Sequence, residues 1–293
     1  MMKVGLSLPQ NPRDGAAGWR DIRDLAQVAR AGGAGSVWVA DHFFHRAPDD
    51  EVGLHEAFEL LAAVAAVTPE IELGPLVAAT SFRSPGLLAK MAATLDLVAE
   101  GRLILGVGCG WHEPEYRAFG YPFDHRVGRF EETVRVLRGL LDGERVTFSG
   151  TWVVVDDAVL LPAPARRIPL LIAADGPRML RLTARYGDAW QAAWFGLPDA
   201  SFREQRSRLE DACGLEGRSQ PPDVFVGINV GEPDEPHVAL DAAAVADALG
   251  AWTAEGVAHV QIGAWPATPQ TWEPVLEGIR RYKASSRGRP PAQ

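Results

Sequence analysis

Short apolar runs alternate along the chain with longer stretches whose apolar positions recur every three to four residues. The runs at 3–8, 36–40, 72–78, 103–107, 169–173, 189–193, 224–228 and 258–262 have the length and composition of strands. Between them, 19–31, 54–67, 85–99, 127–141, 177–186, 200–212, 236–249 and 269–282 carry helical spacing. In the first of these, Ile22, Leu25, Ala26, Val28 and Ala29 give that spacing. Gly32-Gly33-Ala34-Gly35 ends it, because glycine accepts the left-handed conformation that closes a helix.

Strands alternating with helices predict a parallel sheet covered by helices. Several runs are apolar on both faces, as buried parallel strands are. Eight strand–helix units favour an α/β fold closed as a single (β/α)8 TIM barrel; an open doubly wound sheet is the alternative left by the pattern. Two stretches break the rhythm. Residues 108–126 read as a loop with its own short helix, and 145–149 with 151–155, joined at Ser149-Gly150, read as a hairpin inserted between the fourth and fifth strands. The expected domain covers 1–283, and the Ser/Arg/Pro/Gly-rich tail 284–293 is expected to fray.

Composition narrows the picture further. The 293 residues are 47% apolar, enough for one large core. A net charge of −9 and a pI near 5.3 argue against nucleic acid and acidic membranes as partners. Cys109 and Cys213 lie far apart, with no Cys-x-x-Cys and no Cys/His cluster at metal spacing. No metal centre is expected, and a reducing cytoplasm is. Neither a signal peptide nor a membrane span of ~20 apolar residues is recognisable.

Barrel active sites lie at the C-terminal ends of the strands, so the residues that follow each run are the candidates. They are Pro9 and Gln10; Asp41, His42, Phe43 and Phe44; Ala79, Thr80 and Ser81; Gly108, Cys109, Gly110 and Trp111; Asp175, Gly176, Pro177 and Arg178; Gln191 and Trp194; and Asn229. This mixture of small, aromatic and single polar groups suits a broad planar ligand better than a metal ion. His42 at a strand mouth can donate a hydrogen bond or carry a proton near neutral pH, with Asp41 orienting it or the ring of the ligand. Alternatively, Asp41 caps the next turn and His42 packs there. Gly106-x-Gly108-x-Gly110 follows a strand but lacks the full G-x-G-x-x-G fingerprint; it reads as a close backbone approach to a flat ring or as a tight turn. Asp175-Gly176-Pro177-Arg178 opens a helix, where amides form an anion site, and Pro177 fits the first turn. The plainer reading is an ordinary turn with Asp175 as its cap.

His112-Glu113-Pro114-Glu115 lacks the second histidine of H-E-x-x-H, and Glu115 is expected to start a short helix or pair with an arginine. His55, His125, His237 and His259 read as surface or packing residues. No serine stands in a G-x-S-x-G context, which leaves a hydrolase triad unsupported.

Several segments, in order, resemble the bacterial luciferase-like flavin and deazaflavin oxidoreductases. They are Ser36-Val37-Trp38-Val39-Ala40-Asp41-His42-Phe43, Arg83-Ser84-Pro85-Gly86-Leu87-Leu88-Ala89-Lys90, Ala93-Thr94-Leu95-Asp96, Gly101-Arg102-Leu103-Ile104-Leu105-Gly106-Val107-Gly108-Cys109-Gly110-Trp111, Glu113-Pro114-Glu115-Tyr116-Arg117-Ala118-Phe119-Gly120 and Arg185-Tyr186-Gly187-Asp188-Ala189-Trp190. The resemblance implies a (β/α)8 barrel binding FMN or the deazaflavin F420. Trp111 and the Glu-Pro-Glu-Tyr stretch resemble the F420-dependent subgroup. By the same resemblance, Asp41 and His42 lie beside the ring, and Ala79 and Thr80 touch its edge. Gly108, Cys109 and Gly110 lie against the coenzyme's side chain, and Gly176 and Pro177 hold its phosphate. A small-molecule substrate and a homodimer are also implied. Two positions depart from the family pattern: Ala173-Ala174-Asp175-Gly176 replaces Gly-Gly-x-Gly, and Gln191 replaces asparagine. The leading expectation is an F420-dependent oxidoreductase, with an FMN-dependent monooxygenase and a noncatalytic flavin-binding barrel as alternatives.

Overall fold

The computed structural model describes residues 1–11, 18–47, 50–231 and 236–287. In chain order the elements are β1 (Lys3–Ser7), α1 (Trp19–Ala31), β2 (Ser36–Val39), β3 (Phe44–Ala47), β4 (Asp50–Gly53), α2 (Ala57–Val67), β5 (Glu72–Pro75), β6 (Ala78–Ala79), a 3-10 turn (Thr80–Phe82) and α3 (Pro85–Val98). Then come β7 (Leu105–Gly108), α4 (Glu113–Phe119), α5 (Arg126–Leu141), β8 (Val146–Ser149), β9 (Val154–Ala158), β10 (Leu170–Ala173), α6 (Pro177–Tyr186) and β11 (Ala189–Phe195). The chain continues through α7 (Ala200–Leu215), β12 (Asp223–Val230), β13 (His237–Val238), α8 (Ala242–Ala254), β14 (His259–Ala264) and α9 (Pro269–Arg287).

The main sheet is parallel, in the order β5-β2-β1-β14-β12-β11-β10-β7-β6. β5 and β6 are two halves of one barrel position, so the ring closes through them: β5 pairs with β2, and β6 with β7. The result is the expected eight-position α/β barrel. Alternation sorts each strand's residues. On β14, Val260, Ile262 and Ala264 join the outer core under the helices. Their neighbour His259 points into the lumen, where it meets Trp38 and Phe225 edge-on or tilted. Trp38, Ile104, Leu171, Ala189 and Phe225 form a separate lumen cluster. The barrel interior is therefore a filled core, as in barrels generally.

Four expectations are corrected. The 54–67 helix begins at Ala57, because β3 and β4 form an antiparallel hairpin ahead of it and Glu56 caps it by accepting from the Glu59 amide (2.7 Å). The second arm of the 145–155 hairpin is β9, several residues later than expected, since Glu132 holds the amides of Thr151, Trp152 and Val153 in the turn. The 236–249 helix begins at Ala242: His237 and Val238 pair with β12, and Asp241 caps the amides of Ala243 and Ala244. In the tail, 284–287 continue α9, with the Ser285 hydroxyl donating to the Tyr282 carbonyl (2.8 Å); 288–293 lie outside the described residues.

Candidate functional site

The C-terminal rim gathers most of the residues singled out from sequence. Asp41 is buried just past β2, and its Oδ2 accepts from the Ala79 amide at 3.0 Å. Ala79 is in register with Gly108, and the Thr80 hydroxyl donates to the Gly108 carbonyl at 3.2 Å. A methyl group at Gly108 would stand 2.8 Å from the Val77 side chain and 3.7 Å from that of Ala173. Asp41, Ala79, Gly108 and the end of β10 thus form one contiguous arc, with Val77 packed against Gly108.

Within this arc Asp41 does not orient His42. Both of its oxygens are taken by Arg83, whose Nη1 donates to Oδ2 at 2.7 Å and Nη2 to Oδ1 at 3.0 Å. Arg83 also donates to Glu56 at 2.6 Å. Burial works against the guanidinium charge, but the two carboxylates outweigh it and raise the Arg83 pKa above its ordinary value. The partner of His42 is Glu115, 1% exposed, whose Oε1 lies 2.7 Å from Nδ1. Glu115 Oε2 accepts from the Phe43 amide at 2.9 Å. Nδ1 and Oε1 share a single hydrogen bond, and Nε2 lies outside this pair. Glu115 therefore pairs with a histidine, where the sequence suggested an arginine or a plain helix start.

Sequence reasoning also missed His45 and His112. The His42 ring meets His45 at 4.7 Å, Trp111 at 5.5 Å and His112 at 6.2 Å. Burial first, then the neighbouring His42 and His112, lower the His45 pKa; Glu115 opposes this. Burial also lowers that of His112, against Glu115, whose pull is opposite. Nε2 of His112 accepts from the Arg46 amide at 3.1 Å, as a neutral ring can. Among the described residues no group of three or more His, Cys, Asp or Glu is arranged to hold a metal.

The glycine bend is shaped by Tyr116, whose hydroxyl donates to the Cys109 carbonyl at 3.2 Å. Burial pushes its pKa up to about 12 and, with Cys109 alongside, raises that of the thiol too. Gly110 is left-handed at φ +74, and a methyl there would lie 1.6 Å from the Tyr116 hydroxyl.

At α6 the N-cap is Gly176, with no side-chain cap, and Pro177 is the first helical residue. Asp175 is exposed, not the cap. A methyl at Gly176 would meet no atom within 4 Å, so the helix N-terminus is open. Arg178 spends its charge on Glu131 at 2.5 Å. A pocket of about 270 Å3 is lined by Phe123, His125, Arg126, Gly128, Trp152 and Arg178. Nε of Arg126 is buried with no hydrogen-bond partner. Arg126 and Arg178 give this pocket a basic lining at the first turn of α6. Trp152 also borders a cleft of about 490 Å3 running past Thr80, Arg83 and Val154.

Fold and rim together define an α/β-barrel protein with a candidate site at its strand mouth. The profile of the luciferase-like monooxygenase family matches residues 2–291, and the chain belongs to that family. It is 35% identical over 196 residues to an F420-dependent glucose-6-phosphate dehydrogenase of Amycolatopsis mediterranei, covering 65% of this chain but only 57% of that relative. A protein of the same name from Nocardia farcinica is 36% identical over 233 residues, covering 76% of this chain and 68% of its own length. Among solved structures, an F420-dependent secondary alcohol dehydrogenase in complex with an F420-acetone adduct superposes with a TM-score of 0.82 at 20% identity, over 96% of this chain and 99% of the other.

Proposed function

We propose that this chain is an F420-dependent oxidoreductase that moves hydride between the deazaflavin and a small organic substrate. The observation that carries the reading is the rim arc: the His42–Glu115 pair stands next to Asp41, whose contacts continue through Ala79 and Gly108 to the end of β10, with a basic pocket at the start of α6. When bound, the deazaflavin supplies the carbon centre that exchanges hydride. Ala79 and Gly108 would lie against its ring, Cys109, Gly110 and Trp111 beside its side chain, and Gly176, Pro177 and Arg126 at its phosphate. Asp41 acts as a positioning residue, fixing the end of β2 against β6 by accepting from the Ala79 amide, while Arg83 neutralises it. His42 Nε2 takes the substrate hydroxyl proton in the oxidising direction and returns it in the other. Glu115 fixes the tautomer and steadies the charge that results.

A fluorescence titration of the purified protein with F420 and FMN, side by side, tests the reading. Tighter binding of F420 is expected; preference for FMN, with oxygen consumption once a flavin reductase is added, would replace it by the monooxygenase alternative. His42→Ala is expected to lower kcat about 100-fold while leaving the coenzyme Kd within about twofold. Equal activity would remove His42 from the mechanism.

We also propose a homodimer, supported by Ala66 on α2 and Leu87, Leu97 and Val98 on α3, which leave apolar surface on neighbouring helices. A cytoplasmic location fits two free cysteines. Among the described residues no helix is long and apolar enough to cross a membrane.

A further inference from the structure

β3 and β4 form a sheet of their own, outside the barrel sheet. A two-stranded hairpin by itself is marginal in water and depends on tertiary anchors. Its register pairs Phe44 with Gly53, His45 with Val52 and Arg46 with Glu51. Phe44 packs against His112 and Phe119, with ring centroids 6.1 and 5.9 Å apart. His45 stacks on His112 at 5.2 Å and meets His42 edge-on at 4.7 Å. The hairpin therefore walls the His42 side of the mouth, and it leans on the start of α4.

A backbone hydrogen bond ties the strand to that helix. The Arg46 amide donates to Nε2 of His112 at 3.1 Å. His112 is the N-cap residue of α4, a position whose side chain ordinarily accepts from the first turn of its own helix. Its ring makes no such cap and is turned to β3 instead. A ring nitrogen accepts only while it carries no proton. Protonated, Nε2 would face the Arg46 N–H donor to donor, and the bond would be lost.

His112 is 7% exposed, and burial lowers its pKa from the ordinary 6.5. The elements packed around the ring carry further charges. Glu115 on α4 favours its protonation, while His42 beyond β2 and Arg46 on β3 oppose it. Arg46 is paired with Glu51 on β4, and Glu113 with Arg117 on α4. His45, on β3, is itself held toward its neutral form by burial and by the two neighbouring histidines.

We infer that His112 is a pH-sensitive latch: its neutral ring ties the β3–β4 hairpin to α4 and so seats His45 against His42, and its protonation releases the strand. The inference goes beyond the coenzyme reading and stands without it, because the latch joins β3 to α4 whatever ligand the mouth takes. The latched form excludes a proton that the released form binds. The latch is therefore complete above pH 6.5 and weakens as the pH falls below it. Its equilibrium shifts by up to about tenfold per pH unit.

The full-length protein, with no coenzyme or substrate added, is followed by NMR from about pH 8 to about pH 5. The Hε1 resonance of His112 reports the proton on its ring. Hydrogen exchange of the Arg46 amide, corrected for the intrinsic rate, reports release of the strand. The two are expected to change together, with a midpoint below 6.5. Protection of the amide falls about tenfold or more across the range. His112→Gln offers an acceptor that does not titrate and should keep the amide protected throughout, whereas His112→Ala should leave it unprotected at every pH. His45→Gln should leave the step in place. Protection that stays constant while His112 takes its proton overturns the inference. So does a step that survives in His112→Gln, vanishes in His45→Gln or is matched by full protection in His112→Ala. The wild-type comparison decides by itself if a variant fails to fold.

Discussion

Two adjacent residues on the β2 loop do different work because their partners differ. Asp41 is a buried anion neutralised by a bidentate guanidinium, while the neighbouring histidine keeps a nitrogen for proton transfer. The Asp41–Arg83 pair is 6% and 9% exposed, so removing one partner strands a charge out of water. Arg83→Met is therefore expected to cost about 3–5 kcal/mol, read as a lower midpoint in urea unfolding. Gly110→Ala combines a left-handed backbone with a collision against the Tyr116 hydroxyl. A loss of roughly 2 kcal/mol or more is expected, and an unchanged melting temperature would show that the bend is not needed. The Asp41-His42 step stood out in the sequence because it ends an apolar run. Its true partners, Arg83 and Glu115, did not, since no periodicity links residues 42 and 73 positions apart.

At the scale of elements, a single carboxylate organises the β8–β9 hairpin. Glu132 on α5 accepts from three consecutive amides, of Thr151, Trp152 and Val153, at 2.8, 2.8 and 2.9 Å. Burial pushes its pKa up, but these amides and Arg129 outweigh that and leave it lowered. Glu132→Ala frees the turn that carries Trp152, which lines both the basic pocket and the larger cleft. Faster proteolysis between β8 and β9 and a weaker coenzyme Kd are expected together; unchanged cleavage would show that the strands hold the turn unaided. Segments whose ends are set by side-chain caps were the ones misplaced from sequence. The apolar spacing of 236–249 is continuous, yet two residues join β12 as β13, and Asp241 decides where α8 starts. α9 was cut short for the converse reason: polar composition at 284–287 suggests fraying, while the helix continues through it, anchored one turn earlier by Tyr282 against Thr253 (2.8 Å).

Across the whole molecule, the lumen links fold to pH. His259 is fully buried beside Trp38 and Phe225, with Nε2 2.8 Å from the Ser36 hydroxyl. Burial, helped by Lys3, lowers its pKa from 6.5 to about 3. The folded state thus refuses a proton that the unfolded chain accepts, so this contribution is intact above pH 6.5 and is lost as the pH falls toward 3. Stability should decline by up to about 1.4 kcal/mol per pH unit in that window from this ring. His259→Gln should flatten the slope of unfolding free energy against pH even if its plateau is lower; an unaltered slope would place the acid sensitivity elsewhere.

The sequence by itself determined most of the architecture: the alternation of strands and helices, a closed barrel favoured over an open sheet, and the resemblance that names the family. These follow from local periodicity and from segments that are each contiguous in the chain. Tertiary structure alone decided which charges cancel and which remain available. Pairing His42 with Glu115, locking Asp41 to Arg83, leaving Arg126 Nε without a partner and laying Trp194 over Gly227 and Gly263 all depend on strands distant in sequence meeting at one rim. The free energy of a buried polar group is set by the partners it meets there, and a linear pattern carries no record of them.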